Sequence, residues 1–224
     1  MRLIVTLGLL LLSALPVRAE NWPQWRGPAF NGSTDETDLP SRWSRTEGIA
    51  WSAELDGAAA STPIVWEDRV FLSGVDAAKD TLQAMCLDRA DGKRLWKHDV
   101  AEGTRRDFRS TFAAPSPVTD GKLVFFFFST GDLVCYDFKA EQKWARNIQK
   151  DYGTFAFLWT FASSPTLFGG KLYVQVLQRD VPVEGRGFAD RENESYLLAL
   201  DPQTGKTLWR QVRGSEAVAE SREA

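Results

Sequence analysis

From Ser61 onward the chain alternates short apolar runs with polar punctuation, and the alternation recurs. Three stretches open on a Pro-containing start: "STPIVWEDRVFLSG" from Ser61, "PSPVTDGKLVFFFFS" from Pro115 and "SSPTLFGGKLYVQVL" from Ser163. Each breaks at a tight turn (Glu67-Asp68, Asp120-Gly121, Gly169-Gly170) and resumes as an apolar strand. A variable connection leads to a second strand, "TLQAMCLD", "GDLVCYD" or "SYLLALD". An Asp-bearing turn follows, and a last strand runs through Trp96, Trp144 or Trp209. β-Branched and aromatic residues mark the strands, while Gly and Asp supply the positive φ of tight hairpins. The run Phe125–Phe128 needs a strand buried on both faces. Phe155, Phe157, Trp159 and Phe161 alternate with small or apolar residues, which predicts a strand buried on one face.

Four short antiparallel strands every 40–50 residues or so, copied along a chain, are the signature of β-propeller blades. The predicted fold is therefore all-β, with blades over about 61–100, 113–148 and 163–212. "IAWSAEL" (Ile49–Leu55) precedes the first Pro strand as "LWKHDV" and "KWARNI" precede the next two, and reads as an orphan outer strand. The ring is incomplete, since closure takes about four to eight blades. Residues 1–19 read as a signal peptide, 20–48 as an N-terminal extension and 49–224 as a partial propeller. Arg2 gives the positive start, Leu3–Leu15 the apolar run, and Val17 and Ala19 the small residues before a cleavage point. The apolar run is shorter than the roughly 20 residues of a membrane-spanning helix. An exported chain without a membrane span after cleavage is expected.

The turn segments carry a resemblance. "ALDPQTGKTLW" (Ala199–Trp209) matches Ala-x-Asp-x-x-Thr-Gly-Lys-x-x-Trp, the docking motif of the pyrroloquinoline-quinone (PQQ) repeat propellers. "CLDRADGKRLW" (Cys86–Trp96) matches it with Cys for Ala and Asp91 for Thr. "CYDFKAEQKW" (Cys135–Trp144) is shorter by one residue and lacks the Gly. "NWPQWRGPAFNG" (Asn21–Gly32) is similar to the start of exported bacterial members. The resemblance implies a structural docking role for Asp88, Gly92, Trp96, Asp137, Trp144, Asp201, Thr204, Gly205 and Trp209, with each Trp lodged between neighbouring blades. It also implies that the remaining blades, or self-association, must close the ring. The expected function is an exported non-enzymatic scaffold or protein-binding module. The alternative is a fragment of a PQQ-dependent dehydrogenase whose active site lies outside this chain, and only there would PQQ and Ca²⁺ be cofactors.

Charge and composition narrow the partner. The 224 residues have a formal net charge of −3, against a general nucleic-acid-binding surface, which needs clustered excess Lys and Arg. No cofactor-binding, catalytic or metal residue is expected. His98, the single histidine, is expected at the surface of an outer strand. Cys86 and Cys135 hold equivalent places in two repeats, where Ala199 stands in the third, which favours small apolar residues on buried strands over a disulfide. "TRRDFRS" gathers Arg105, Arg106 and Arg109, a patch suited to bidentate contacts with an acidic partner or to a solvated loop. The insertion Gln178–Ser195 makes the third copy longest, and inserted loops on one face of a repeat array often bind partners. A protein partner is therefore expected there, and no nucleic acid.

Overall fold

The computed structural model describes residues 20–37, 39–106 and 110–214; the signal-like segment 1–19 and Arg109 fall outside them. Twelve strands form three separate four-stranded antiparallel sheets, each in simple sequential order. The first contains β1 (Ile64–Trp66), β2 (Arg69–Asp76), β3 (Thr81–Asp88) and β4 (Arg94–Glu102). The second contains β5 (Val118–Thr119), β6 (Leu123–Phe127), β7 (Asp132–Asp137) and β8 (Gln142–Asn147). A single helical turn, α1 (Ile148–Tyr152), leads to the third: β9 (Thr166–Phe168), β10 (Lys171–Val176), β11 (Tyr196–Leu200) and β12 (Thr207–Val212).

One cross-strand triplet repeats in every sheet. Cys86 pairs with Phe71 on one side and Trp96 on the other; Cys135 pairs with Phe125 and Trp144; Ala199 pairs with Tyr173 and Trp209. The two aromatic rings meet across the small central residue, with centroids 6.0, 5.8 and 5.9 Å apart. Immediately after that residue the register slips in all three sheets, between Cys86 and Leu87, Cys135 and Tyr136, and Ala199 and Leu200. Such a bulge bends and twists the outer strand.

The core lies between sheets. Phe125 and Phe127 join Leu133, Leu172 and Val174 in one cluster, while Val124, Phe126 and Phe128 join Phe71, Ala84 and Val134 in another. The middle sheet is thus apolar on both faces, as its Phe run requires. Both cysteines are buried and free.

The inner strands are joined by a hydroxyl ladder. The backbone N–H of Thr62 donates to Ser116 Oγ at 2.9 Å, and the N–H of Ser116 donates to Ser164 Oγ at 2.9 Å. All three residues directly precede a proline. The N-terminal segment crosses the same strands: Trp22 pairs with Val65 of β1, Thr119 N–H of β5 donates to Pro23 O at 2.9 Å, and Phe30 meets Phe168 of β9 edge-on at 6.1 Å.

Two sequence expectations are corrected. Ile49–Leu55 forms no ladder; it lies extended over the outer face of the first sheet, with Trp51, Ala53 and Leu55 against Val70, Leu72 and Met85. The aromatic stripe after α1 is likewise not a strand. Side-chain amides take up its backbone groups: Phe155 N–H donates to Gln149 Oε1 and Ala156 N–H to Gln178 Oε1, at 2.7 and 2.9 Å. Phe155, Phe157 and Phe161 are buried, and Trp159 turns outward with 40% of its surface exposed.

Candidate partner-binding face

The repeated turns are built alike. Asp88 Oδ1 accepts from Ala90 N–H, Asp201 Oδ1 from Gln203 and Thr204, and Asp137 Oδ1 from Lys139 and Glu141. Thr204 Oγ1 accepts from Lys206 N–H, and Asp91 Oδ1 does the same for Lys93. Gly92 and Gly205 sit at φ +73° and +69°, and a Trp ring lies flat against each. Trp51 covers Gly92 and donates its Nε1–H to Arg89 O at 2.8 Å. Trp144 covers Gly205 and donates to Pro202 O, also at 2.8 Å. Each indole therefore docks on the turn of the following sheet.

The seam between the first two sheets departs from this plan because the Asp137 turn is shorter and places Ala140, not Gly, at positive φ. Trp96 is half-buried against Phe126 and Tyr136, and its Nε1–H has no partner among the described residues. His98 takes over the polar contact, with Nε2 3.1 Å from Ala140 O and its ring stacked on Tyr136 at 4.6 Å. His98 is accordingly half-buried in an inter-sheet seam, which corrects its expected surface position. Arg146 fills the same place in the next seam, donating to Gly205 O at 2.7 Å. Trp209 stands at the outer face of the last sheet, 40% exposed.

The connections between sheets and the second-to-third strand connections share one end of the molecule. Arg105 and Glu184 meet there at 3.5 Å, so the arginine loop and the insertion of the third sheet touch. Arg105 O accepts from Phe112 N–H, and Arg106 bridges to Thr111. Thr104 caps the loop by donating to the Asp80 carboxylate, holding that carboxyl below its usual range. The insertion is pegged from within. Asn193, almost fully buried, accepts from Phe188 N–H and donates to Asp180 O and Phe188 O. Gln178 donates to Glu194 O while accepting from Ala156 N–H.

Candidate chemistry is sparse on this framework. Among the described residues no three His, Cys, Asp or Glu side chains converge as a metal group. Burial pushes the Cys86 thiol up to about 11 and the Cys135 thiol up to about 12, so neither is a ready nucleophile near neutral pH.

Four-stranded sheets in sequential order, stacked through Trp-on-turn seams, are blades of a β-propeller. The chain belongs to the PQQ-like repeat family described as "Outer membrane protein assembly factor BamB", which matches residues 34–180. It is 27% identical over 169 residues to the quinohemoprotein alcohol dehydrogenase ADH-IIG of Pseudomonas putida, covering 73% of this chain and 21% of that protein. It is 26% identical over 171 residues to a polyvinylalcohol dehydrogenase of a Pseudomonas species, covering 72% and 24%. The crystal structure of quinohemoprotein alcohol dehydrogenase from Comamonas testosteroni superposes with a TM-score of 0.58 at 17% identity, covering 87% of this chain and 27% of that one. The chain thus spans under a quarter of the length of these curated relatives. Among the described residues no helix is long and apolar enough to cross a membrane.

Proposed function

We propose that this chain supplies blades of an exported, non-enzymatic propeller that binds another protein through the face carrying the arginine loop and the third-sheet insertion. The observation that carries the reading is the Arg105–Glu184 contact, which joins the two loops into one charged surface. The internal pegs of the insertion support it, because a pre-ordered loop loses less entropy on binding. The start of the chain, with its export-signal pattern, supports an extracytoplasmic location. Further blades close the ring, and Trp209 docks on the first of them. No cofactor is assigned.

A photo-crosslinking residue in place of Arg106 of the full-length protein, irradiated in its native cells, tests this. One discrete protein adduct is the expected result. Saturable Trp quenching by PQQ and Ca²⁺, accompanied by dye-linked alcohol oxidation, overturns the non-enzymatic reading. That second reading, a portion of a PQQ-dependent dehydrogenase, is favoured by the names of the two curated relatives. The outward Trp159, on a hollow of about 300 Å³ with Phe157 and Phe161, gives it an aromatic wall.

A further inference from the structure

A second hollow, of about 730 Å³, opens between α1, the insertion of the third sheet and the adjoining ends of β11 and β12. Tyr196 lies in its lining, 2% exposed, and its hydroxyl has no hydrogen-bond partner among the described residues. Arg210 lies over the Tyr196 ring at 4.4 Å; one of its terminal nitrogens holds Glu194 at 2.9 Å, while its Nε–H is buried and likewise without a partner. Buried donors left unpaired carry the full cost of lost hydration, so native proteins seldom retain them without an occupant.

The rest of the lining carries both signs of charge, with Lys150 and Arg191 beside Asp151, Glu192 and Glu194. Arg191 lies 3.8 Å over the Phe188 ring and makes no ion pair among the described residues. Lys150 stands exposed on α1. Of the three acids lining the hollow, Asp151 is held by Arg146 at 2.7 Å and Glu194 by Arg210, and the third is Glu192. The walls are set in advance. Phe188 packs so closely on Gly153 that a Cβ there would come within 2.3 Å of the ring, and Gln178 and Asn193 peg the loop behind it.

We infer that this hollow receives a carboxylate of a partner polypeptide, an acidic side chain or a free C-terminus, through Arg191, Arg210 and the Tyr196 hydroxyl. Guanidinium and phenol groups offer donors and a carboxylate offers acceptors only, so the pairing is complementary. The polypeptide source follows from continuity, since the insertion that walls the hollow also carries Glu184 to Arg105. The inference rests on the reading of that face as a protein-docking surface.

The test is fluorescence anisotropy on the full-length protein with two labelled hexapeptides. One is Gly-Ser-Gly-Ser-Glu-Glu with a free C-terminus, and the other is its Gln-Gln counterpart with an amidated end. The acidic peptide is expected to bind about ten-fold more tightly, the worth of one hydrogen bond to a charged group. Arg191→Ala should remove most of that preference. Tyr196→Phe should weaken the acidic peptide about ten-fold without lowering the thermal midpoint, because the deleted hydroxyl bonds to nothing in the free protein. Equal affinity for the two peptides, or undiminished binding by Tyr196→Phe, overturns the assignment. D-Glucuronate binding where neither peptide binds overturns the polypeptide source. Peptide discrimination without a crosslink at position 106 leaves the pocket standing and removes the wider docking face; a crosslink without discrimination does the reverse.

Discussion

Phe125 and Trp144 meet at 5.8 Å across Cys135, the residue paired with both in the second sheet. The same arrangement recurs with Cys86 and Ala199 at the centre, so the size of that residue decides whether the rings can touch. Cys135→Leu forces extra volume between two packed aromatics and should lower stability by about 1–3 kcal/mol. Cys135→Ala, which keeps the gap, should cost less than Cys135→Leu. Urea unfolding of the two variants checks the order.

Gly205 lies at φ +69°, and a Cβ there would come within 2.6 Å of the Trp144 ring. Gly170 has nearly the same backbone, φ +72°, but open space around it. Gly170→Ala should cost about 1 kcal/mol from backbone strain alone. Gly205→Ala should exceed it by at least about 1 kcal/mol, because the indole must also give way. Equal losses would mean that Trp144 is not seated on the turn.

Trp144→Ala removes a docked indole and should lower stability by about 3–5 kcal/mol. Trp209 has the same triplet behind it and 40% of its surface exposed. In the full-length protein Trp209→Ala should cost as much as Trp144→Ala, since a further blade is proposed to cover it. A loss below about 1 kcal/mol would show that no turn reaches that indole.

The buried thiols set a pH limit. Cys86 and Cys135 are raised by burial from 9.0 to about 11 and about 12. Below pH 9 the thiol is protonated in both folded and unfolded chains, so its contribution to stability is constant. Above pH 9 the unfolded thiols ionise first, and stability should fall as pH climbs through the folded values. Each thiol contributes a slope of about 1.4 kcal/mol per pH unit. Urea midpoints at pH 8 and pH 10.5 measure it, with Cys86→Ala as the control that halves the thiol part. Tyr136, raised by burial to about 12, adds a further decline above pH 10.

The turns were legible in the sequence because their chemistry is local. Asp201, Thr204 and Gly205 act within five consecutive residues, and their spacing alone specifies the hairpin. The aromatic partners of the Trp residues were not legible. Phe71 and Phe125 sit in unbroken apolar runs, where no polar alternation reveals which face a side chain takes. His98 misled because its partner, Ala140 O, belongs to a shortened turn in another sheet. The Phe155–Phe161 stripe has the period of a strand, but the backbone partners of Phe155 and Ala156 are the amides of Gln149 and Gln178. Tyr196 and Arg210 read as ordinary strand residues, and their sequence does not show that the Tyr196 hydroxyl and the Arg210 Nε are buried without a partner. Arg106 forms an isolated bridge with Thr111 in the connection between the first two sheets.

The segment around Trp22 and Phe30 touches the innermost strand of every sheet, the last contact being Phe168. The earliest-made part of the described chain therefore has no complete seat until the third sheet exists. Its contacts with β1 and β5 can form once the first two sheets exist, and the contact with β9 only after the third. Its docking is then a late step of high contact order, slower than blade formation. The same clasp reports completion, because only a chain with all three inner strands aligned can engage it along its whole length.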